Sequence, residues 1–473
     1  MTGITSFGAY IPYYRLTHKE IARAWGSRAG DGERAIANVD EDSITMAVEA
    51  IRDLLAGSEG QAVDGLMFAT TTSPYAEKQA SALIATAADL RHDTRTADYT
   101  TSLRSATTAV LAALDSVKAG SLSNVIIAAS DTRLAPPKST NERIFGDAAS
   151  AVAIGRDKVI ANLIGSHSVV DEMTDVWRRG DDRFVAGWEE RFSITQGYQR
   201  VVRQTVSELF ERTTVGPAEI SRAIFYAPDA GTLASTAKSL GLKPEQIPDH
   251  LFTSVGNTGT AMPLLVLSSV LEVSKPGEKL LVIGYGSGCD ALLFEVTDEI
   301  DTAKAVAGRR GVQGHLASKA NLDSYERYTK FRELIETDSA RRQAPSASAA
   351  VIWRKRDDIY RLRGYRCLAC GKVQYPHQRV CISCSSKDNF ESIPLAGKRA
   401  KLFTFTLDYL NADPDPPTVM SIIDFEGGGR AYLQMTDRNP ADVRIDQSLE
   451  MTFRRLYEAE GFTNYYWKCR PER

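Results

Sequence analysis

The 473-residue sequence predicts a duplicated, layered α/β fold followed by a smaller β-rich region. The same order of helices and strands occurs twice, with the two copies about 155 residues apart. The strand-like segments of both copies are uniformly apolar, which is typical of strands that are covered on both faces. Two Cys-x-x-Cys pairs and a series of short strand-like segments follow the second copy.

Each copy contains a helix, a buried strand, a long apolar helix, a second buried strand and a closing strand after a glycine-rich turn. In the first copy these elements are expected at 44–55, 65–72, 105–120, 124–131 and 146–155. In the second copy they are expected at 198–213, 222–229, 260–277, 279–286 and 286–296. Apolar helices bury their surface well when they pack between two sheets, so we expect a layer of helices with a sheet on either side. A single doubly wound sheet is the alternative.

The character of the chain changes in its last third. Residues 302–336 have a helical pattern, and small and polar residues then predict a linker at 341–353. Short strand-like segments interrupted by PDPP, EGGGR and DRNP predict a small barrel. We therefore expect a first domain at 1–340, a cysteine-containing domain at 354–396 and a β-barrel at 397–473.

Composition excludes several classes of protein. The 57 basic and 60 acidic side chains leave a net charge of -3, which gives no overall attraction to nucleic acid or to an anionic membrane. The first residues lack the pattern of a signal peptide, and the sequence contains no apolar run long enough for a membrane span. We expect a cytoplasmic protein that has neither nucleic acid nor membrane as a partner.

Four cysteines predict a metal site. Cys367, Cys370, Cys381 and Cys384 form two Cys-x-x-Cys pairs separated by ten residues. Four thiolates at this spacing suit tetrahedral zinc, and they leave no open position for a catalytic water. The sequence therefore predicts a structural zinc ion.

Several strings, taken in order, resemble one family. SFGAYIPYYRL, VDEDSITMAVEAI, SPYAEK, FGDAASA and GNTGTAMPLL…GYGSG are similar to hydroxymethylglutaryl-CoA synthase of the archaeal and bacterial type, over residues 1–340. The resemblance implies a five-layer thiolase fold, a coenzyme A thioester as substrate and a homodimer formed through this domain. Residues 350–473 resemble the zinc ribbon and OB fold that accompany thiolase-like proteins acting on acyl-CoA. A partner thiolase or dehydrogenase is therefore possible.

The resemblance fails at three positions that carry the chemistry of the family. The nucleophilic cysteine falls on Leu103, the glutamate general acid/base on Thr71 and the histidine on Tyr226. Leucine cannot form an acyl-enzyme. Asn257 matches the family's asparagine, which helps to stabilise a thioester oxyanion. A shift of one residue would place Ser102 at the nucleophile position.

We interpret the sequence as an acyl-CoA carbon–carbon lyase or aldolase, because retro-aldol cleavage of a β-hydroxyacyl-CoA needs no acyl-enzyme. The chain is similar in this respect to thiolase-like aldolases that use tyrosine. The candidate catalytic residues are Tyr226, Tyr285 and Asn257, with Tyr75 and Tyr99 as weaker candidates. Two alternatives stay open: a synthase or acyltransferase of the ordinary type, and a non-catalytic acyl-CoA-binding scaffold for a partner thiolase.

Other reactive side chains receive structural interpretations. Cys289 follows the glycines of its turn, whereas the catalytic cysteine of thiolases precedes them. None of the six histidines lies in a recognisable catalytic motif. The basic run at 354–366 is expected to be a solvated surface, with contact to the phosphates of coenzyme A as the alternative.

Overall fold

The computed structural model describes residues 1–57, 62–335, 348–411, 413–459 and 461–473. Their contacts divide into two compact units. Unit 1 comprises Met1–Ala37, Asp42–Ala85 and Leu90–Tyr325, and unit 2 comprises Asn38–Glu41, Thr86–Asp89 and Glu326–Arg473. Residues 341–347 of the expected linker lie outside the described residues, and a helix covers Ala349–Arg354.

Unit 1 contains all the elements of the predicted duplication. Its strands are Gly3–Tyr10 (β1), Tyr14–Thr17 (β2), Glu33–Ile36 (β3), Gly65–Thr70 (β4), Arg95–Thr100 (β5), Val125–Asp131 (β6), Ala148–Gly155 (β7), Ala161–Val170 (β8), Val176–Trp177 (β9), Ala186–Gly187 (β10), Arg222–Phe225 (β11), Lys279–Tyr285 (β12), Gly288–Val296 (β13) and Ala320–Asn321 (β14). The α-helices up to residue 317 are His18–Trp25 (α1), Ser43–Leu54 (α2), Ala80–Ala87 (α3), Ser105–Lys118 (α4), Thr140–Ile144 (α5), Glu190–Phe192 (α6), Arg200–Thr213 (α7), Ala230–Ser239 (α8), Met262–Leu271 (α9), Ile300–Lys304 (α10) and Gly311–Ala317 (α11). A π-helix, Ser193–Gln199, precedes α7.

The strand order confirms the duplication. Nine strands form one mixed sheet in the order β11-β12-β13-β8-β1-β7-β6-β4-β5. In the first half, β1 pairs antiparallel with β7, β7 antiparallel with β6, and β6 parallel with β4. In the second half, β8 pairs antiparallel with β13, β13 antiparallel with β12, and β12 parallel with β11. The two series are the same and run in opposite directions across the sheet. Two sheets were expected, but β1 and β8 meet at their first residues, where Gly3 pairs with Asn162 and Ile4 with Ala161. This short antiparallel contact joins the two halves into one hydrogen-bonded sheet.

The helices form the expected sandwich. Both α4 and α9 contact strands of the first half and strands of the second half, so they lie between the halves. Helix α9 is apolar on nearly all sides, as expected of a helix buried from both directions. Helix α2 packs on β1, β6 and β7, whereas α7 packs on β8 and β13. The outer helices therefore complete five layers. The continuous helical pattern expected at 302–336 is divided among shorter helices.

Unit 2 contains a small sheet and a closed barrel. Its helices are Tyr325–Phe331 (α12), Ala349–Arg354 (α13) and Arg356–Ile359 (α14), of which α12 begins at the last residue of unit 1. Its strands are Arg363–Cys367 (β15), Val373–Gln374 (β16), Phe390–Pro394 (β17), Ala400–Asp408 (β18), Thr418–Phe425 (β19), Arg430–Met435 (β20), Ser448–Ala459 (β21) and Phe462–Pro471 (β22). Strands β15–β17 form the small sheet, and β18-β19-β20-β22-β21 close the barrel, which confirms the predicted barrel.

A charged cluster is buried within unit 2. The Arg454 guanidinium is fully buried and contacts Asp40 at 3.1 Å, Glu41 at 2.6 Å and Asp437 at 2.6 Å. Burial alone would raise the pKa of Asp437, but the surrounding guanidinium groups, led by Arg454, hold it well below its usual range. Removal of one partner from such a cluster would leave an uncompensated buried charge.

Within the described residues, no helix combines the length and the apolarity needed to cross a membrane.

A buried histidine gives unit 1 a predictable response to acid. The main-chain N–H of Phe225 donates to His250 Nε2 at 3.0 Å, and His250 Nδ1 lies 2.7 Å from the carbonyl oxygen of Pro248. Burial lowers the pKa of His250 from 6.5 to about 4. The unfolded chain therefore binds a proton at pH values where the folded chain does not. The free energy of unfolding should therefore rise with pH between about 4 and 6.5. The contribution of the neutral His250 to that free energy should be lost progressively as the pH falls below 6.5.

We predict that His250→Gln flattens this dependence. In urea unfolding at about pH 7.5 and about pH 5, the wild type should lose up to about 1.4 kcal/mol per pH unit more than the variant does. The exposed His92 provides the control, and His92→Gln should retain the wild-type dependence. Equal pH dependence in wild type and His250→Gln would show that this histidine is not the group responsible.

Candidate functional site

The turn before α4 contains Leu103, onto which the resemblance places the family's nucleophilic cysteine. Thr101 adopts a left-handed conformation with φ of 71°, and α4 begins four residues later. The Leu103 side chain is 7% exposed and packs in the main hydrophobic core. The half-buried Ser102 donates its hydroxyl hydrogen to the carbonyl oxygen of Gly286 at 3.1 Å. An apolar side chain therefore occupies the position that the resemblance assigns to the nucleophile.

The turn after β12 lies against this same point. A Cβ atom at Gly286 would be 2.7 Å from Ser102 Oγ and 3.0 Å from the main-chain nitrogen of Leu103. Only glycine allows the two turns to approach this closely. Since Tyr285 is the last residue of β12, the approach brings Tyr285 to the N-terminus of α4.

Tyr226 follows directly after β11, the strand beside β12. The main-chain nitrogen of Tyr226 donates to the carbonyl oxygen of Ile283 at 2.8 Å. The Tyr198 hydroxyl donates to the carbonyl oxygen of Tyr226 at 2.7 Å. Burial raises the pKa of the Tyr226 hydroxyl, whereas the Arg133 charge and a hydrogen bond with the Asn257 side chain act in the opposite direction. The site therefore places a buried phenol beside a guanidinium group.

The Asn257 side chain forms hydrogen bonds with the main chain around Tyr226. Its Nδ2 donates to the carbonyl oxygens of Ala227 at 3.0 Å and Pro228 at 3.2 Å. Its Oδ1 accepts from the main-chain nitrogen of Gly259 at 2.9 Å. The amide thus ties the loop after Tyr226 to the start of the α9 segment. This geometry fits a positioning role better than the oxyanion role that the resemblance implied.

Arg133 is the residue that sequence reasoning missed. It lies two residues after the end of β6, is 5% exposed, and stacks its guanidinium 4.2 Å from the centroid of the Phe145 ring. Its Nη1 is buried and makes no hydrogen bond within the described part of the chain. The available signal was an arginine that closely follows a predicted buried strand, in the string SDTR. Nothing in the sequence connects this arginine to Tyr226.

Thr71, onto which the resemblance places the family's glutamate, is hydrogen-bonded to Asp131. Its main-chain nitrogen donates to Asp131 Oδ1 at 2.7 Å, and its hydroxyl donates to Oδ2 at 3.0 Å. Thr70 and Thr72 also donate their hydroxyl hydrogens to Asp131, as does the main-chain nitrogen of Thr260. The Asp131 carboxylate is therefore saturated with donors and is not available as a base.

Tyr285 is enclosed by the π-helix. A Cβ atom at Gly197 would lie 2.9 Å from the Tyr285 hydroxyl, and the Tyr198 ring meets the Tyr285 ring edge to face at 5.0 Å. The hydroxyl is buried and forms no hydrogen bond of ordinary geometry with a described residue. Burial first, and then the negative charge of Asp175, raise the pKa of Tyr285 well above its usual value. π-Helices are rare and frequently mark functional sites.

The other tyrosine and cysteine candidates lie elsewhere or are inert. Tyr75 is half-buried and accepts from Ser73 through its carbonyl oxygen, and Tyr99 is a partly buried residue of β5. Burial raises the pKa of Cys289 to about 12, so its thiol is not activated at neutral pH.

The histidines contact residues outside the Tyr226 and Tyr285 group. His167 pairs with Glu208, and His18 contacts the carbonyl oxygens of Asp31 and Arg143. His315 packs on Tyr10, and His377 packs on Tyr365.

Acidic neighbours in unit 2 pair with several side chains of the basic run at 354–366. Arg361 and Arg363 both pair with Asp89, and Arg366 pairs with Glu391 at 2.8 Å. These pairs favour the interpretation of a solvated surface over a site for phosphate.

The four cysteines converge in the small sheet of unit 2. All four sulfur atoms lie within 4.8 Å of one another. The Sγ atoms of Cys367 and Cys384 are 3.7 Å apart, and those of Cys370 and Cys381 are 3.6 Å apart. A tetrahedral ZnS₄ centre with bonds near 2.3 Å has edges of about 3.8 Å, so these sulfur atoms fit zinc.

Family models match three parts of the chain. Residues 354–391 match the ChsH2 rubredoxin-like zinc ribbon domain, and residues 393–454 match the ChsH2 C-terminal OB-fold domain. Residues 210–295 match the C-terminal part of 3-oxoacyl-[acyl-carrier-protein] synthase III. The first match supports the structural zinc ion predicted from the cysteine spacing.

Solved structures define the class of the first domain. MvaS in complex with 3-hydroxy-3-methylglutaryl coenzyme A aligns with a TM-score of 0.63 at 19% identity, over 73% of this chain and 94% of the other. A 3-oxoacyl-(acyl carrier protein) synthase III from Pseudomonas aeruginosa aligns with a TM-score of 0.57 at 19% identity, over 63% of this chain and 98% of the other. Together with the duplicated layers, these similarities define a thiolase-like fold.

Curated relatives identify the family within that class. A hydroxymethylglutaryl-CoA synthase of Aeropyrum pernix is 34% identical over 342 residues, which are 70% of this chain and 94% of the relative. Another from Pyrobaculum aerophilum is 30% identical over 71% of this chain and 98% of the relative. The chain belongs to the hydroxymethylglutaryl-CoA synthase family. The comparisons favour the synthase alternative over the lyase interpretation, which stays a prediction.

We predict that Cys370→Ser reduces zinc binding and destabilises unit 2. Metal analysis of the wild type should give about one zinc ion per chain, because four thiolates complete the coordination. Thermal unfolding should show an earlier transition in the variant. Ser383→Ala, an exposed change in the same loop, is the control and should retain both metal and stability. A metal-free wild type with unaltered melting in Cys370→Ser would exclude a structural zinc ion.

Proposed function

We propose that the protein catalyses an aldol-type carbon–carbon step on an acyl-CoA thioester without a cysteinyl acyl-enzyme. The relatives are named hydroxymethylglutaryl-CoA synthases, and related structures hold 3-hydroxy-3-methylglutaryl coenzyme A or CoA. These names support a CoA thioester as the substrate. The observation that carries the proposal is the buried Tyr226 hydroxyl beside Arg133 and Asn257.

Tyr226 is proposed as the proton-transfer group on oxygen. In the direction of addition, a thioester enolate attacks a ketone, and the phenol of Tyr226 donates its proton to the resulting alkoxide. In the direction of cleavage, the phenolate removes the β-hydroxyl proton and the carbon–carbon bond breaks. The phenol of tyrosine is neutral at neutral pH, and burial of Tyr226 raises its pKa further above neutrality. The neutral form suits the direction of addition, in which Tyr226 donates a proton.

Arg133 is proposed to stabilise negative charge during this step. A fixed cation in a buried site stabilises a developing oxyanion far more than it would in water. The buried Nη1 of Arg133 makes no hydrogen bond with the described residues, so it is able to donate to a substrate oxygen. In cleavage, the same charge lowers the cost of forming the Tyr226 phenolate. Asn257 is proposed to hold the loop that presents Tyr226.

The synthase-type acyltransferase is the second candidate, because family membership favours it. Such a reaction needs a nucleophile, and Ser102 is the hydroxyl beside Leu103. That hydroxyl donates to the Gly286 carbonyl oxygen, and the described contacts of Ser102 supply no base to remove its proton. The geometry therefore supports the aldol-type step better than acyl transfer through Ser102. The homodimer, the partner thiolase or dehydrogenase, and the non-catalytic scaffold stay predictions.

We predict that Tyr226→Phe slows the carbon–carbon step by roughly 10²- to 10⁴-fold, which is the usual contribution of general acid–base catalysis. The variant retains the ring and its packing, so folding and CoA binding should survive. The assay follows the cleavage of a panel of β-hydroxyacyl-CoA thioesters and the reverse addition of acetyl-CoA to ketones. Tyr75→Phe is the control, since Tyr75 is half-buried and outside the Tyr226 group. Equal turnover in Tyr226→Phe and wild type would refute the role of Tyr226.

We predict that no acyl-enzyme accumulates. Incubation with acetyl-CoA followed by intact-mass measurement should show no increase of about 42 Da, the mass that acetylation of a nucleophile adds. Ser102→Ala is the matched variant. An adduct that is present in wild type and absent in Ser102→Ala would make the acyltransferase the correct function.

A further inference from the structure

A buried arginine of unit 1 has no counter-ion. The Arg133 side chain is 5% exposed, and its Nη1 makes no hydrogen bond within the described part of the chain. The guanidinium also forms no ion pair with any carboxylate that the structure describes. A guanidinium taken out of water is costly unless an opposite charge or hydrogen bonds compensate it. The fold therefore retains a buried positive charge that an anion from outside the chain would neutralise.

The acidic side chains close to Arg133 in the sequence have other partners. Asp131, two residues earlier, is saturated by the threonine cluster and Thr260. Glu142 accepts from the side chains of a tryptophan and a tyrosine. Asp147 accepts from a main-chain nitrogen at 2.8 Å. The described carboxylates of this region are thus committed elsewhere, and Arg133 is left without one.

The Arg133 side chain lies at the start of the α9 segment, beside the loop that presents Tyr226. The guanidinium carbon is 4.2 Å from the centroid of the Phe145 ring, and Phe145 forms a parallel bridge with Asn257. The Asn257 amide donates to the carbonyl oxygens of the two residues after Tyr226. A Cβ atom at Gly259 would lie 2.8 Å from Arg133 Cδ. These contacts join Arg133 to the loop that follows Tyr226.

Two further buried polar groups flank the same glycine. Thr258 and Thr260 precede and follow Gly259, and each is at most 1% exposed. Neither hydroxyl group has a hydrogen-bond partner among the residues that the structure describes. Buried polar groups are normally hydrogen-bonded, so several exceptions at one place in the chain indicate a polar ligand. A guanidinium and hydroxyl groups are donors that suit a carboxylate.

The chemistry of the proposed reaction limits what this anion is. A thioester and a simple ketone are both neutral at their reacting carbons, and the enolate and alkoxide charges are only transient. The phosphates of coenzyme A are separated from the thioester by the pantetheine arm. A lasting partner for Arg133 beside the reacting atoms therefore has to belong to the second reactant. For a small ketone, that anionic group is a carboxylate.

We infer that the second reactant is an oxo acid and that Arg133 binds its carboxylate. The inference rests on the proposed aldol-type function and names its substrate class. The reactants are an acyl-CoA and a 2- or 3-oxo acid, and the product is a β-hydroxyacyl-CoA that carries a second carboxylate. A guanidinium has five N–H donors in a fixed fork, so it is able to hold the carboxylate and donate to the ketone oxygen at the same time.

The carboxylate is unchanged, and the other atoms and electrons balance. In addition, the acyl-CoA α-carbon releases one proton, and the electron pair of its C–H bond forms the new bond to the ketone carbon. The ketone π electrons become an alkoxide, which takes the proton of the Tyr226 hydroxyl. The Tyr226 phenolate then regains from solvent a proton equivalent to the one that the α-carbon released. One acyl-CoA and one oxo acid thus give one product, and no oxidant or reductant enters.

The test compares each oxo acid with its methyl ester, which keeps the ketone and lacks the charge. The acids are 2-oxopropanoate and 3-oxobutanoate, and each acid or ester is offered with acetyl-CoA at constant ionic strength. Arg133→Gln removes the positive charge, whereas Arg133→Lys retains it. Arg179→Gln is the matched control, because Arg179 is an exposed arginine that pairs with Asp182.

We expect the wild type and Arg179→Gln to prefer at least one oxo acid over its ester by roughly 10²- to 10³-fold in kcat/KM. This is the usual scale for the loss of one partner of a buried charge pair. Arg133→Gln should lose the preference, and Arg133→Lys should retain part of it. The preference is diagnostic rather than the rate, because Arg133 is also proposed to stabilise the alkoxide formed from either reactant.

A second measurement needs no turnover. Without ligand, Arg133→Gln and Arg133→Met should melt at or above the wild-type temperature, because each removes a buried charge that lacks a partner. A purely structural arginine would give lower melting temperatures instead. The oxo acid should raise the melting temperature of the wild type but of neither variant, since a ligand that binds only the folded state stabilises it. The methyl ester should raise none of them.

The outcomes separate the inference from the proposed function. An equal preference for acid over ester in wild type and Arg133→Gln would overturn the role of Arg133 and leave the aldol-type function standing. A wild type that turns over the esters as fast as the acids would overturn the oxo acid class. Lower melting temperatures in both Arg133→Gln and Arg133→Met would show that the protein compensates the guanidinium itself, which would also overturn the inference. A wild type that turns over no ketone, acid or β-hydroxyacyl-CoA thioester would overturn the proposed function.

Discussion

The buried carboxylate of Asp131 is the constraint on which the site depends. Five hydrogen bonds reach it, four from Thr70–Thr72 and one from the main-chain nitrogen of Thr260. A buried charge is tolerable only when its hydrogen-bonding capacity is met, and each bond to a charged group contributes about 1.5–3 kcal/mol. A Cβ atom at Gly259 would lie 2.4 Å from Asp131 Oδ2 and 2.8 Å from Arg133 Cδ, so both side chains close on one glycine. Asp131 thereby fixes the ends of two strands and the start of the α9 segment.

This constraint explains how a buried cation is held at the site. A guanidinium taken out of water is costly unless other groups stabilise it. Arg133 has the face of Phe145 on one side and the Tyr226 hydroxyl nearby, and its attachment two residues after Asp131 limits where it can lie. Contact with an aromatic face contributes about 0.5–2 kcal/mol without using a hydrogen-bond donor. Nη1 therefore stays without a hydrogen bond among the described residues, as the proposed role of Arg133 requires.

The parts of the site that the sequence predicts follow from topology. Tyr226 directly follows β11 and Tyr285 ends β12, its parallel neighbour, and the carboxyl ends of parallel strands share one edge of a sheet. The duplicated layers, the zinc-type cysteines and the barrel likewise follow from spacing and hydrophobic pattern. Arg133 belongs to the other half of the duplication, so its approach to Tyr226 depends on how the halves pack. The engagement of the Asn257 amide is a matter of atomic geometry. Neither leaves a pattern in the sequence.

Family membership and the missing nucleophile are compatible, because a fold constrains where chemistry occurs more strongly than which chemistry occurs. The fold supplies a helix N-terminus, two close turns and strand ends that converge on one point. Leu103, onto which the resemblance places the family's cysteine, cannot form an acyl-enzyme, and the convergence of the strand ends does not depend on that side chain. Proton transfer to and from oxygen and carbon needs only groups of suitable pKa within reach. Tyr226, Tyr285 and Arg133 are the candidate groups for such transfer on this fold. The proposed carbon–carbon step is therefore compatible with membership of this family, because it does not depend on covalent catalysis through cysteine.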